Sequence, residues 1–132
     1  MTTFHAVRLD VDGTLTCLDL PTDRDARRTA LMEHVDGLAE IARYAGPTGL
    51  RLGVVVNENG IALELTPNLY ATALVSSVRR ALLPYPLCGP VVLTGLCGEG
   101  ESAGEITAVP HDIHNELPGF VVALATRYSL AG

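Results

Sequence analysis

The sequence predicts an α+β domain: a mainly antiparallel, twisted sheet built from two β-hairpins plus a further strand, with two or three helices packed on one face. Three observations lead there. Asp12-Gly13 and Asn59-Gly60 each interrupt a stretch in which apolar and polar residues alternate, the pattern of a half-buried hairpin closed by a two-residue turn. Apolar residues recur at helical spacing in two segments, Ala26 to Leu38 and Ala71 to Leu82. The 132 residues suffice for one domain with its own core, so residues 1–132 are read as a single unit.

Taken in order, the first hairpin pairs Val11 with Thr14, Leu9 with Thr16 and Val7 with Leu18, placing Val7, Leu9, Val11, Leu18 and Leu20 on one face. Pro21 ends its second strand. Thr22 then starts a helix, with Asp25 completing an approximate capping box. Gly37 is placed to close it, although Leu31, Val35, Leu38, Ala42 and Ala45 equally suit one helix running on to Ala45. Gly46-Pro47-Thr48-Gly49 is a turn, and Leu50 to Glu58 is the first strand of a central hairpin. Asn59-Gly60 supplies that hairpin with a type I′ turn, so that Val56 faces Leu63 and Val54 faces Leu65. Asn68 is a good N-cap for a helix with Ala71, Leu74, Val75, Val78 and Leu82 inward. Three prolines stiffen the next connection, and Val91 to Thr94 is a short strand. Gly95 to Gly104 reads as a mobile acidic loop, and a last helix runs from near Asp112 to Tyr128, bent at Pro118-Gly119.

Charge and composition narrow the function classes. All nine basic side chains are arginine and the formal charge is −6, which disfavours nonspecific nucleic-acid binding because counterion release needs a basic face. Arg24, Arg27 and Arg28 form a local cluster, read as a solvated helix face. No apolar run approaches the roughly 20 residues of a membrane span, and the first residues lack the pattern of a signal peptide, so the cytoplasm is the expected compartment. Cys17, Cys88 and Cys97 are widely spaced and read as reduced thiols, with Cys97 the most exposed.

The hairpin ending in Asp19-Leu20-Pro21, Val35-Asp36-Gly37, Asn57-Glu58-Asn59-Gly60, Pro67-Asn68 and Gly89 to Gly95 together resemble a bacterial and phage family known as domain of unknown function 3846. The resemblance covers residues 5–97, leaving a C-terminal loop and helix over 98–132. It implies a small α+β domain carried by phages, plasmids or other mobile elements. It also implies an extended segment after Gly37, which places a strand over Leu38 to Tyr44. A second stretch, Leu9 to Thr16, resembles the first motif of haloacid-dehalogenase-type phosphohydrolases. That resemblance implies Asp10 as nucleophile and Asp12 as acid and base, both orienting Mg²⁺. The chemistry also needs a hydroxyl, a cation and further acids. Thr94 is the candidate hydroxyl, the sequence has no lysine, and Asp112 is the only aspartate after Asp36. Asp12-Gly13 is therefore read as a turn, and the phosphohydrolase is retained only as the alternative.

The expectation is a non-enzymatic accessory protein, regulatory or acting in counter-defence, that binds a protein partner or pairs with itself through an exposed sheet edge. Its binding surface is placed at Asn57, Glu58 and Asn68, the polar residues around the central turn. No cofactor is expected. His111 and His114, three apart on a helix, are the weak candidates for metal ligation.

Overall fold

The computed structural model describes residues 2–98 and 105–128. In chain order its elements are β1 (Thr3–Leu9), β2 (Leu15–Pro21), α1 (Arg24–Val35), β3 (Ala39–Ala45), β4 (Arg51–Asn57), α2 (Leu69–Arg79), β5 (Val91–Leu96), β6 (Ile106–Thr107) and α3 (His111–Tyr128). Every strand pairing is antiparallel, in the order β2-β1-β5-β4-β3. The short β6 pairs with Gly95 and Leu96 of β5, on the flank whose other end is taken by β1. The α+β class and the antiparallel sheet are as the sequence predicts. Residues 99–104 of the glycine-rich acidic loop lie outside the described residues.

Both hairpins use the same closing device. In the first, Asp10 N–H donates to Thr14 O and Gly13 N–H to Asp10 O, each at 3.0 Å; in the second, Gly46 N–H donates to Leu50 O at 2.8 Å and Gly49 N–H to Gly46 O at 3.0 Å. Gly13 and Gly49 take φ of +89° and +90°, so each loop is a type I turn followed by a left-handed glycine. Asp12 Oδ1 accepts from Thr14 N–H at 2.9 Å and secures the first loop.

This corrects the expected register of the first hairpin by one residue. Leu9 pairs with Leu15, Val7 with Cys17 and Ala6 with Leu18, because Asp12-Gly13 fills the last two places of a three-residue loop rather than the centre of a two-residue turn. A one-residue slip moves every side chain of one strand to the other face. Val7 and Leu9 accordingly join a core with α2 and α3, whereas Leu18 and Leu20 join a second core with Leu31 and Val35 of α1. The helices thus cover both faces of the sheet, not one face as expected. Tyr70, Leu74, Ile113 and Leu117 pack on Val7, Leu9, Leu52, Val54, Val91 and Leu93, while α1 closes over Ala6, Val55 and Val92.

The central hairpin is not formed. Val54 pairs with Ala42 on one side and Leu93 on the other, so both edges of β4 are taken by β3 and β5. With no free edge to return to, the chain after Asn57 coils: Gly60 N–H donates to Asn57 O, Leu63 N–H to Asn59 O and Leu65 N–H to Gly60 O. Ile61 and Leu63 are left mostly exposed instead of facing strand partners. The second hairpin is the one joining β3 to β4, and the strand expected over Leu38 to Tyr44 is its first arm.

Helix ends follow local chemistry closely. Asp23, not Thr22, caps α1, its Oδ2 accepting from Ala26 N–H at 2.9 Å. Asp36 takes the left-handed conformation that ends α1. Asn68 caps α2 as expected, its Oδ1 accepting from Ala71 N–H at 3.0 Å.

Candidate functional site

Arg24, Arg27, Arg28 and Leu31 stand at i, i+3, i+4 and i+7 of α1, so they share one helix face. Leu31 is buried and that face leans on the sheet, which brings the arginines over its margin rather than out into solvent. There they line an open groove of about 470 Å³, whose other walls are Ala39, Ile41 and Arg43 of β3, and Glu105 and Ile106 at β6. Four of the nine arginines of an acidic chain meet here, over a floor of Leu31, Ala39, Ile41 and Ile106. The solvated helix face read from the sequence is one wall of this groove. The signal was present: arginines in line with Leu31 share the buried stripe's side of the helix.

The arginines are held differently. Arg24 is ion-paired with Glu105, and Arg27 lies over the Phe4 ring at 5.9 Å while donating to Thr22 O at 3.2 Å. Arg43 donates to the edge carbonyl of Ile41 at 3.2 Å. Among the described residues no hydrogen bond or ion pair engages Arg28, which is exposed at the rim. Together they present a cationic surface of guanidinium groups, suited to carboxylates or phosphates.

A second groove, of about 400 Å³, lies on the opposite face of the sheet by the same edge strand. Glu40 of β3, Val56 and Asn57 of β4, the coil 58–62, and Tyr85 to Cys88 line it. Its exposed apolar side chains are Ile61 and Tyr85. Nearby, burial first and the hydrogen bond with Tyr85 second push the pKa of the Tyr44 hydroxyl up to about 12, so Tyr44 keeps its proton at neutral pH.

The residues placed in the binding surface from sequence take other positions. Asn57 is buried: its Nδ2 donates to Val35 O at 3.0 Å and Asp36 O at 3.3 Å, and its Oδ1 accepts from Asn59 N–H at 2.8 Å. Asn68 is fully buried, its Nδ2 donating to Leu9 O at 2.9 Å and Gly89 O at 3.0 Å. Both amides are spent on joining segments distant in sequence. Only Glu58 reaches solvent, at the end of the second groove.

The phosphohydrolase set does not assemble. β1 runs antiparallel to both its neighbours and turns back into a strand after Gly13. Asp10 is 3.4 Å from Arg8, Asp12 is spent on the turn, and the buried Thr94 hydroxyl lies within reach of Gly53 O and Gly95 O. His111 bonds Asn115 and His114 lies 3.6 Å from Cys17. Among the described residues no three histidine, cysteine or acidic side chains come together to hold a metal. Cys17, not Cys97, is the exposed thiol.

Arg8 also contacts His34, with 3.2 Å between Nη1 and Nδ1. Burial first, and the Arg8 charge second, hold the imidazole below its ordinary value. The unfolded chain therefore takes up a proton near pH 6.5 that the fold refuses. Stability should decline as pH falls from about 6.5 toward the lower folded value, then level off. Urea midpoints measured from pH 7.5 to 5 check this, and His34→Gln should remove that part of the slope.

Compared with protein-family models, curated proteins and solved structures, the chain matches none. Among the described residues no helix is long and apolar enough to cross a membrane.

Proposed function

We propose that the chain is a non-enzymatic binding protein whose ligand is an acidic segment of a protein partner, held in the groove between α1 and β3. One observation carries this reading: Arg24, Arg27, Arg28 and Arg43 converge over an apolar floor in a chain whose overall charge is negative. The net negative charge disfavours an acidic ligand over the surface at large, and this groove is where four of the nine arginines gather. The wider role is that of a small cytoplasmic accessory protein of a phage, plasmid or other mobile element, acting in regulation or counter-defence, as the sequence resemblance implies. Self-association is the competing form of the same activity. Catalysis forms no part of the proposal, since Asp10, Asp12 and Thr94 are engaged apart from one another.

The test is a labelled oligoglutamate peptide titrated by fluorescence anisotropy. Arg28→Glu should weaken binding about tenfold, the scale of one charge-assisted contact at a partly solvated site. Arg80→Glu, an equal charge reversal at the exposed end of α2, should change it far less. Both arginines are exposed, so neither variant should disturb folding. Equal effects of the two reversals would reduce the binding to net charge. A single-stranded oligonucleotide of matched charge that binds more tightly than the peptide would sink the choice of a protein ligand.

A further inference from the structure

Among the described residues the groove adjoins a strand whose outer edge is unpaired, and this deepens the reading just proposed, on which it rests. We infer that the partner binds as an extended strand added antiparallel to β3, with acidic and apolar residues alternating along it. Leu38 O accepts from Glu58 N–H and Gly46 N–H donates to Leu50 O, so the even-numbered residues of β3 bond inward to β4. Ala39, Ile41, Arg43 and Ala45 therefore turn their amides and carbonyls outward.

The two edges of the sheet are not equivalent. In β2 the inward bonds are those of Thr14 and Thr22 with β1, which leaves Leu15, Cys17, Asp19 and Pro21 facing out. Pro21 has no N–H to offer and blunts that edge. On β3 no proline intervenes, and the Arg43 guanidinium donates to Ile41 O in the outer row.

Side-chain alternation then sets what the added strand must carry. Ala39, Ile41 and Arg43 face the arginine groove, whereas Glu40, Ala42 and Tyr44 face the side of α2, where the second groove opens. Residues directly opposite one another in an antiparallel pair share a face. Partner residues opposite Ala39, Ile41 and Arg43 thus reach the guanidinium groups and are acidic. Their neighbours, opposite Glu40, Ala42 and Tyr44, fall toward Val56, Ile61 and Tyr85 and are apolar.

A second copy of the chain fits this edge poorly. Two β3 strands joined antiparallel in one continuous sheet are related by a two-fold axis normal to it, which sets both arginine grooves on the same face, side by side. Eight guanidinium groups would then crowd one seam, with Glu105 of each copy, the one acid lining each groove, already paired to Arg24. An acidic strand from a different protein removes that repulsion and satisfies the edge.

The experiment uses the whole chain with a nine-residue peptide of alternating glutamate and valine, and a block-order peptide of the same composition. The alternating peptide should bind at least tenfold more tightly. At saturation the amides of Ile41 and Arg43 should gain at least tenfold protection from hydrogen exchange, and those of Ala42 and Tyr44, already paired to β4, should not. Methylating the backbone nitrogens of the glutamates, which point at β3 in this register, should abolish binding. Methylating those of the valines should leave it nearly unchanged. If both peptides bind equally without protecting Ile41 and Arg43, strand addition is overturned while the acidic ligand stands. If neither binds, the acidic ligand falls and strand addition with it. A concentration-dependent dimer of the free protein that protects the same amides would overturn the choice of a foreign partner.

Discussion

Asn68→Asp should lower the stability of the fold by about 3–5 kcal/mol at neutral pH, the scale of an uncompensated buried charge. Asn68 is fully buried between the end of β1, the segment before β5 and the first turn of α2. Its Oδ1 accepts from Ala71 N–H, and a carboxylate could keep that bond. Its Nδ2 donates to Leu9 O and Gly89 O, and there a carboxylate oxygen would face two carbonyls with no proton between them. The introduced acid would have its pKa raised in the fold, so the penalty is largest above that value and shrinks as pH falls toward the ordinary carboxylate range. The gap in urea midpoint between variant and parent should therefore be smaller at pH 5 than at pH 7. Asn68→Ser retains a capping oxygen but abandons both carbonyls, and should cost about 1–3 kcal/mol. A neutral outcome for both substitutions would mean that Asn68 is not the tie between these three segments.

Gly95→Ala should cost about 2–3 kcal/mol and loosen β6 from the sheet. A Cβ at Gly95 would lie 2.3 Å from Ala108 O and 3.3 Å from the Thr107 side chain, and the nearer atom is backbone. The sheet can accommodate it only by moving β6, a strand of two residues, which is the cheapest element to displace. Cys97 N–H, bonded to Glu105 O at 2.8 Å, should then lose protection from hydrogen exchange while the amides between β1 and β2 keep theirs. Because Glu105 and Ile106 form one wall of the arginine groove, the acidic peptide should also bind more weakly. Unchanged binding beside a loosened β6 would place the ligand wholly on α1 and β3.

The sequence by itself determined the features whose causes are local. The alternation through β1 and β2, the turn over residues 46–49, the cap at Asn68 and the apolar spacing of α1 and α2 each act within a few residues. From these the α+β class and the antiparallel sheet are legible. Only the tertiary structure decided what depends on where strands lie side by side. Asn59-Gly60 is a strong hairpin signal in isolation, yet β4 has β3 and β5 on its two edges, and a third strand has nowhere to pair. The one-residue register of the first hairpin had the same origin. A sheet covered on both faces keeps Val7 and Leu9 with α2 and α3 while it gives Leu18 and Leu20 to α1, and an alternating pattern reads the same in either register. The candidate site divides along this line. Three of its arginines are visible together in the helix repeat, but Arg43 and the free edge of β3 join them only once α1 lies across the sheet, because a groove is made by surfaces that the chain brings together after folding.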